Sequence, residues 1–142
     1  MSNKETATYT KSFPSDPELL PDIENFVISH TAEAKLDKKK INDLSLSIAE
    51  AASNAIKHGN KSDINKKVKV TVKIYTDKIV ISIKDEGTGF VLKDVPDPTL
   101  PENLLKDSGR GIYIMKTFLD KVEFNFTPSG TEVVLTMNFN KK

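Results

Sequence analysis

Apolar residues occupy every second position between 68 and 74 (Val68, Val70, Val72 and Ile74) and again at Ile79, Ile81 and Ile83. A period of two sends alternate side chains to opposite faces of a strand. The two runs, joined across Thr76-Asp77-Lys78, therefore predict a hairpin with one buried face. Residues 122–126 and 131–139 predict a second hairpin around Thr127-Pro128-Ser129-Gly130, and residues 7–13 a short edge strand.

Elsewhere the period lengthens to that of a helix. Leu19, Leu20, Ile23, Phe26 and Val27 recur at helical spacing and carry a first helix to about Thr31. Its start reads as a capping box, with Ser15 as N-cap, Glu18 three residues on and Pro17 in the first turn. A second helix is predicted over 37–57, with Ile41, Leu44, Ile48, Ala52 and Ala55 on one arc and Glu50, Asn54 and Lys57 on the opposite one. Gly59 is expected to end it in the left-handed conformation. A third helix opens after Gly109 and Gly111, with Ile112, Met115, Phe118 and Leu119 on one face.

Residues 91–108 hold Pro96, Pro98 and Pro101 and no sustained period, the pattern of a lid over a site. Strands and helices segregate along the chain instead of alternating. This predicts one α+β domain spanning 1–142, a two-layer sandwich with a mixed, mainly antiparallel sheet covered on one face by helices.

Composition removes several classes of function. The 142 residues are 37% hydrophobic and 29% charged, with a net charge of +1, so no basic field draws nucleic acid. Cysteine is absent, which excludes disulfides, thiolate catalysis and zinc–thiolate sites. No apolar run approaches a membrane span and the polar start is no signal peptide, so a cytoplasmic location away from membranes is expected. Arg110 is the only arginine, and it stands between two glycines.

Three polar clusters carry candidate chemistry. Glu50, Asn54 and Lys57 share a helix face, which is either an ordinary solvated face or a set of oxygen and ammonium groups suited to a magnesium nucleotide. Asp85 closes a strand ahead of Gly87 and Gly89. That is either a glycine turn with a surface acid or an acceptor for a base's amino group with room for a flat ring. Gly109-Arg110-Gly111 opens a helix, which is either an ordinary helix entry or an anion site made of its N–H groups.

In this order, "EAASNAIKHGN", "DEGTGF" and "SGRGIYIMKTFLD" resemble the N, G1 and G2 boxes of the GHKL (histidine-kinase-like) ATPase superfamily. The wording of the first and third is most similar to the anti-sigma-factor serine kinases, the RsbW and SpoIIAB group, and the resemblance runs over residues 9–139. It implies a Bergerat-type ATP-binding fold with ATP and magnesium as cofactors. It further implies Glu50 as the base, Asn54 as the magnesium ligand and Lys57 near the phosphates. Asp85 would accept from the adenine amino group with support from Thr131, while Gly87 and Gly89 shape the adenine pocket. Gly109, Arg110 and Gly111 would hold the phosphates. The implied reaction transfers the γ-phosphoryl group of ATP to a serine on a STAS-domain anti-anti-sigma partner. A sigma factor is a second implied partner, and a homodimer the implied assembly. One departure is Asp107, where some relatives of this kind carry a basic residue used for partner contact or phosphate sensing.

Overall fold

A computed structural model describes residues 5–34, 36–87 and 107–139. Five strands form one sheet: β1 (Glu5–Pro14), β2 (Lys67–Tyr75), β3 (Lys78–Lys84), β4 (Lys121–Thr127) and β5 (Gly130–Asn138), in the order β1-β2-β3-β5-β4. Every neighbouring pair is antiparallel, so the sheet holds no parallel pair among the described residues.

The alternation in the sequence sets the register. Val70, Val72 and Ile74 lie opposite Ile83, Ile81 and Ile79, and these in turn oppose Val133, Leu135 and Met137. All nine are buried, because a one-residue slip would turn the whole set toward solvent. Each of the large ones contributes roughly 1.5–3 kcal/mol by leaving water. Their polar neighbours, among them Lys69, Lys73, Ser82, Lys84 and Glu132, line the opposite face.

Among the described residues, three α-helices cover the apolar face: α1 (Leu20–Ser29), α2 (Lys38–Ser53) and α3 (Asp107–Phe118). The middle one, α2, packs on both others. It presents Leu44, Ile48, Ala51 and Ala52 to the core, beside Ile23 and Val27 of α1 and Met115 of α3. The predicted two-layer α+β architecture is therefore the observed one.

Local differences from the sequence reading have physical causes. Asp16, not Ser15, caps the first helical turn (Pro17–Leu19), accepting from the Glu18 N–H at 2.9 Å. Ser15 is fully buried and donates instead to the Lys66 carbonyl at 2.7 Å. Asp37 caps α2 through the Lys40 N–H at 2.8 Å. That helix does not stop at Lys57. It widens into a π-helical turn over Asn54–Gly59, closed by the Asn60 N–H on the Ala55 carbonyl at 2.9 Å.

Gly59 is not left-handed. The positive-φ residues after the turn are Lys61 (φ 53°) and Ser62 (φ 58°), so the chain reverses two residues later than expected. The third helix begins at Asp107, which makes the last two residues of the expected lid helical. Residues 91–106 of that lid lie outside the described residues.

Glu132 illustrates how the open face of the sheet is held. The Ser82 hydroxyl donates to its carboxylate, which with the Asn125 amide and the nearby Lys84 and Lys73 ammonium groups holds its pKa below the usual value. A depressed carboxylate pKa stabilises the fold above the unfolded-state value, and the effect is lost as pH falls through the folded one. Glu132→Gln should therefore lower the thermal midpoint at neutral pH. The gap from wild type should close as the solution is acidified through the carboxylate range. A gap that stays constant with pH would contradict this account.

Candidate functional site

Strand β3 delivers Asp85 to a junction where three parts of the chain meet. Only 5% of this residue is exposed. Its N–H donates to the Thr131 carbonyl at 2.9 Å, which extends the β3–β5 ladder by one residue. Its Oδ1 accepts from the backbone N–H groups of Gly87 and Thr131, both at 3.0 Å.

Glycines make this approach feasible. A Cβ on Gly130, which has φ 145°, would stand 2.1 Å from the Asp85 carbonyl oxygen. One on Gly59 would stand 2.1 Å from Asp85 Oδ2, and one on Gly87 2.7 Å from the Gly59 carbonyl oxygen. Gly59 is thus required for room and not for handedness. With Oδ1 engaged by two N–H groups, Oδ2 is turned toward the end of the π turn. The Thr131 hydroxyl oxygen is also buried, and it has no hydrogen-bond partner among the described residues. A buried hydroxyl left unpaired costs about 1–3 kcal/mol. An acid oxygen and an orphaned hydroxyl at one glycine-lined corner suit a flat ligand bearing both a donor and an acceptor.

Asn60 ties the junction together and was not singled out by the sequence. It is 1% exposed, and its Oδ1 accepts from the Glu86 N–H at 2.7 Å. Its Nδ2 donates to Ser15 Oγ at 2.7 Å and to the Lys67 carbonyl at 3.0 Å. One side chain therefore joins the end of the α2 segment to the exits of β1 and β3 and to the start of β2. No periodicity signals such a residue, because its partners are distant in sequence.

The second part of the site lies on α2. Glu50 is half-buried against α3, where a Cβ on the buried Gly111 would lie 2.7 Å from Glu50 Oε2. Asn54 is half-buried one turn further on, where the π turn opens. Lys57 and His58 are exposed within that wide turn, so Lys57 departs from the simple α-helical arc. Gly109 falls in the first turn of α3, where backbone N–H groups lack helical partners, with Arg110 next to it. Gly89 lies outside the described residues. Among the described residues no three His, Cys, Asp or Glu side chains cluster as a ready metal cage. Any cation here would need further oxygens beside Asn54, as those of a bound phosphate chain. No helix among the described residues is long and apolar enough to cross a membrane.

An antiparallel sheet under helices, with this acid corner at one end of α2 and a carboxylate on its flank, is compatible with a nucleotide-binding domain. The chain matches the histidine kinase-like ATPase domain over residues 13–137 and belongs to that family. Within it, the chain is similar to the serine-protein kinases RsbW. The Listeria monocytogenes protein is 27% identical over 139 residues, covering 94% of this chain and 88% of its own. The Bacillus licheniformis protein is 32% identical over 108 residues, covering 72% and 67%. Among solved structures, the RsbU and RsbW domains of a Mycobacterium tuberculosis protein superpose with a TM-score of 0.70 at 16% identity. That match covers 96% of this chain and 34% of the longer one, and it bears on the fold alone.

Asn60→Ala would strip the Glu86 N–H and the Lys67 carbonyl of a buried partner at once. It should destabilise the protein by about 2–4 kcal/mol in urea unfolding. A loss below about 0.5 kcal/mol would mean that water replaces the side chain.

Proposed function

We propose that the chain is an ATP- and magnesium-dependent serine/threonine protein kinase of a partner-switching system, acting on a serine of a STAS-domain anti-anti-sigma protein. The names of its RsbW relatives support the reaction class. The observation that carries the reading is that one helical segment bears Glu50 on its flank and meets Asp85 at its end through Gly59. Gly59 follows Glu50 by nine residues, at most about 13 Å along the axis at the α-helical rise of about 1.5 Å per residue, a span suited to an elongated ligand with a base at one end and phosphates at the other.

In this reading Asp85 Oδ2 accepts from the adenine amino group, and the orphaned Thr131 hydroxyl pairs with the ring directly or through water. Gly87 and Gly89 leave room for the ring. Asn54 offers its carboxamide oxygen to magnesium. Lys57, exposed in the π turn, and the first-turn N–H groups of α3 around Gly109 and Arg110 meet the phosphate charge. When bound, magnesium ATP supplies the transferable phosphoryl group. Glu50 takes the proton of the acceptor hydroxyl as that oxygen becomes the nucleophile. Sequestration of a sigma factor, homodimer assembly and a lid role for residues 91–106 belong to the same proposal.

Incubation with γ-labelled ATP and STAS-domain proteins of the same genome should label one of them on serine or threonine. Glu50→Ala should slow that transfer by roughly 100-fold or more while ATP affinity changes little. Wild-type protein that binds ATP yet labels none of them would contradict the kinase reading and leave a nucleotide-gated binding protein. Asp85→Asn puts a donor beside the adenine amino group and should weaken ATP binding about tenfold or more in calorimetry. Unchanged affinity would remove the adenine role from Asp85.

A further inference from the structure

Gly111 stands differently from the other glycines of its motif. It is the fifth residue of α3, so its N–H belongs to the internal hydrogen-bond ladder and not to the free first turn that can hold an anion. It is also buried, and what it faces is Glu50. A Cβ at this position would lie 2.7 Å from Glu50 Oε2 and 3.4 Å from both Glu50 Cβ and Glu50 Cδ. Real Cβ contacts are not made at 2.7 Å. Of the three atoms, the carboxylate oxygen is the one free to move.

We infer that Gly111 is a positioning residue for Glu50: its missing side chain forms the notch that fixes the direction of the Glu50 carboxylate. The inference rests on the reading of Glu50 as the base, and it assigns Gly111 a role other than phosphate binding. A glycine inside a helix is intrinsically unfavourable relative to alanine, by an amount that alanine should recover. Alanine at 111 would instead swing the Oε2 end of Glu50 out of its notch and leave the fold intact. A base must reach the acceptor hydroxyl within hydrogen-bond distance, so a displacement of about 1 Å slows transfer without touching the nucleotide pocket.

The test compares Gly111→Ala, Glu50→Ala, Glu50→Asp and the doubles Gly111→Ala/Glu50→Ala and Gly111→Ala/Glu50→Asp. Three quantities are read: magnesium-ATP affinity by calorimetry, thermal midpoint, and transfer at saturating ATP to a STAS-domain protein that the wild-type chain labels. Gly111→Ala should keep ATP affinity within about threefold, hold or raise the midpoint, and lower transfer at least tenfold. It should add nothing to Glu50→Ala. It should also cost nothing beside Glu50→Asp, whose shorter side chain no longer fills the notch.

A tenfold loss of ATP affinity with transfer at saturation unchanged would overturn the inference and return Gly111 to the phosphates. Losses that simply multiply in the doubles would overturn it as well. Glu50→Ala inactive beside a fully active Gly111→Ala would sink the positioning role alone. A fully active Glu50→Ala would instead remove the base reading, and the inference with it.

Discussion

Taking a carboxylate out of water costs several kcal/mol unless its oxygens find donors. The chain meets that cost for Asp85 by bringing backbone to it from three directions. The Thr131 and Gly87 N–H groups hold Oδ1, and the ladder bond to the Thr131 carbonyl fixes the main chain. Such proximity is available only where no Cβ intervenes, so Gly59, Gly87 and Gly130 are all required around the one acid. The geometry of the corner follows: Oδ1 is engaged by two N–H groups, Oδ2 is turned toward Gly59, and the buried Thr131 hydroxyl has no hydrogen-bond partner among the described residues.

This constraint reaches into the helical layer. Gly59 can touch Asp85 only if α2 extends past Lys57, and the π turn over Asn54–Gly59 provides the extension. A wider turn moves residues off the α-helical arc, leaving Asn54 half-buried and Lys57 exposed. Asn60 then anchors the end of the segment to Glu86, Ser15 and Lys67, so hydrogen bonds tie the helix carrying Glu50 to the loop carrying Asp85. At the other flank, α3 approaches α2 closely at Gly111, and the carboxylate of Glu50 occupies the space thus left.

The strands were legible because a sheet covered on one face writes a period of two, and Val68 through Ile83 obey it without exception on the buried side. The two-layer architecture followed from the segregation of strands and helices. Helix ends were less legible. The run Ser15-Asp16-Pro17-Glu18 offers two capping side chains, and the choice fell to Asp16 because Asn60 and Lys66, remote in sequence, claim Ser15. The glycine of "HGN" has the local signature of a left-handed stop, but its neighbour in space, Asp85, gives it another purpose. The acid corner could be recognised by its order relative to the other boxes. The notch at Gly111 and the knot at Asn60 could not, since both depend on contacts between elements and on no local pattern.

In the proposed function the Asp85–Thr131 corner receives the adenine end of a nucleotide whose phosphates lie toward Glu50 and the start of α3. A crystal structure with magnesium and a non-hydrolysable ATP analogue tests it most directly. The adenine amino group should lie within hydrogen-bond distance of Asp85 Oδ2, with a partner on the Thr131 hydroxyl and the terminal phosphate on the Glu50 side of the site. A nucleotide seated elsewhere, or a Thr131 hydroxyl still unpaired beside a bound adenine, would contradict it.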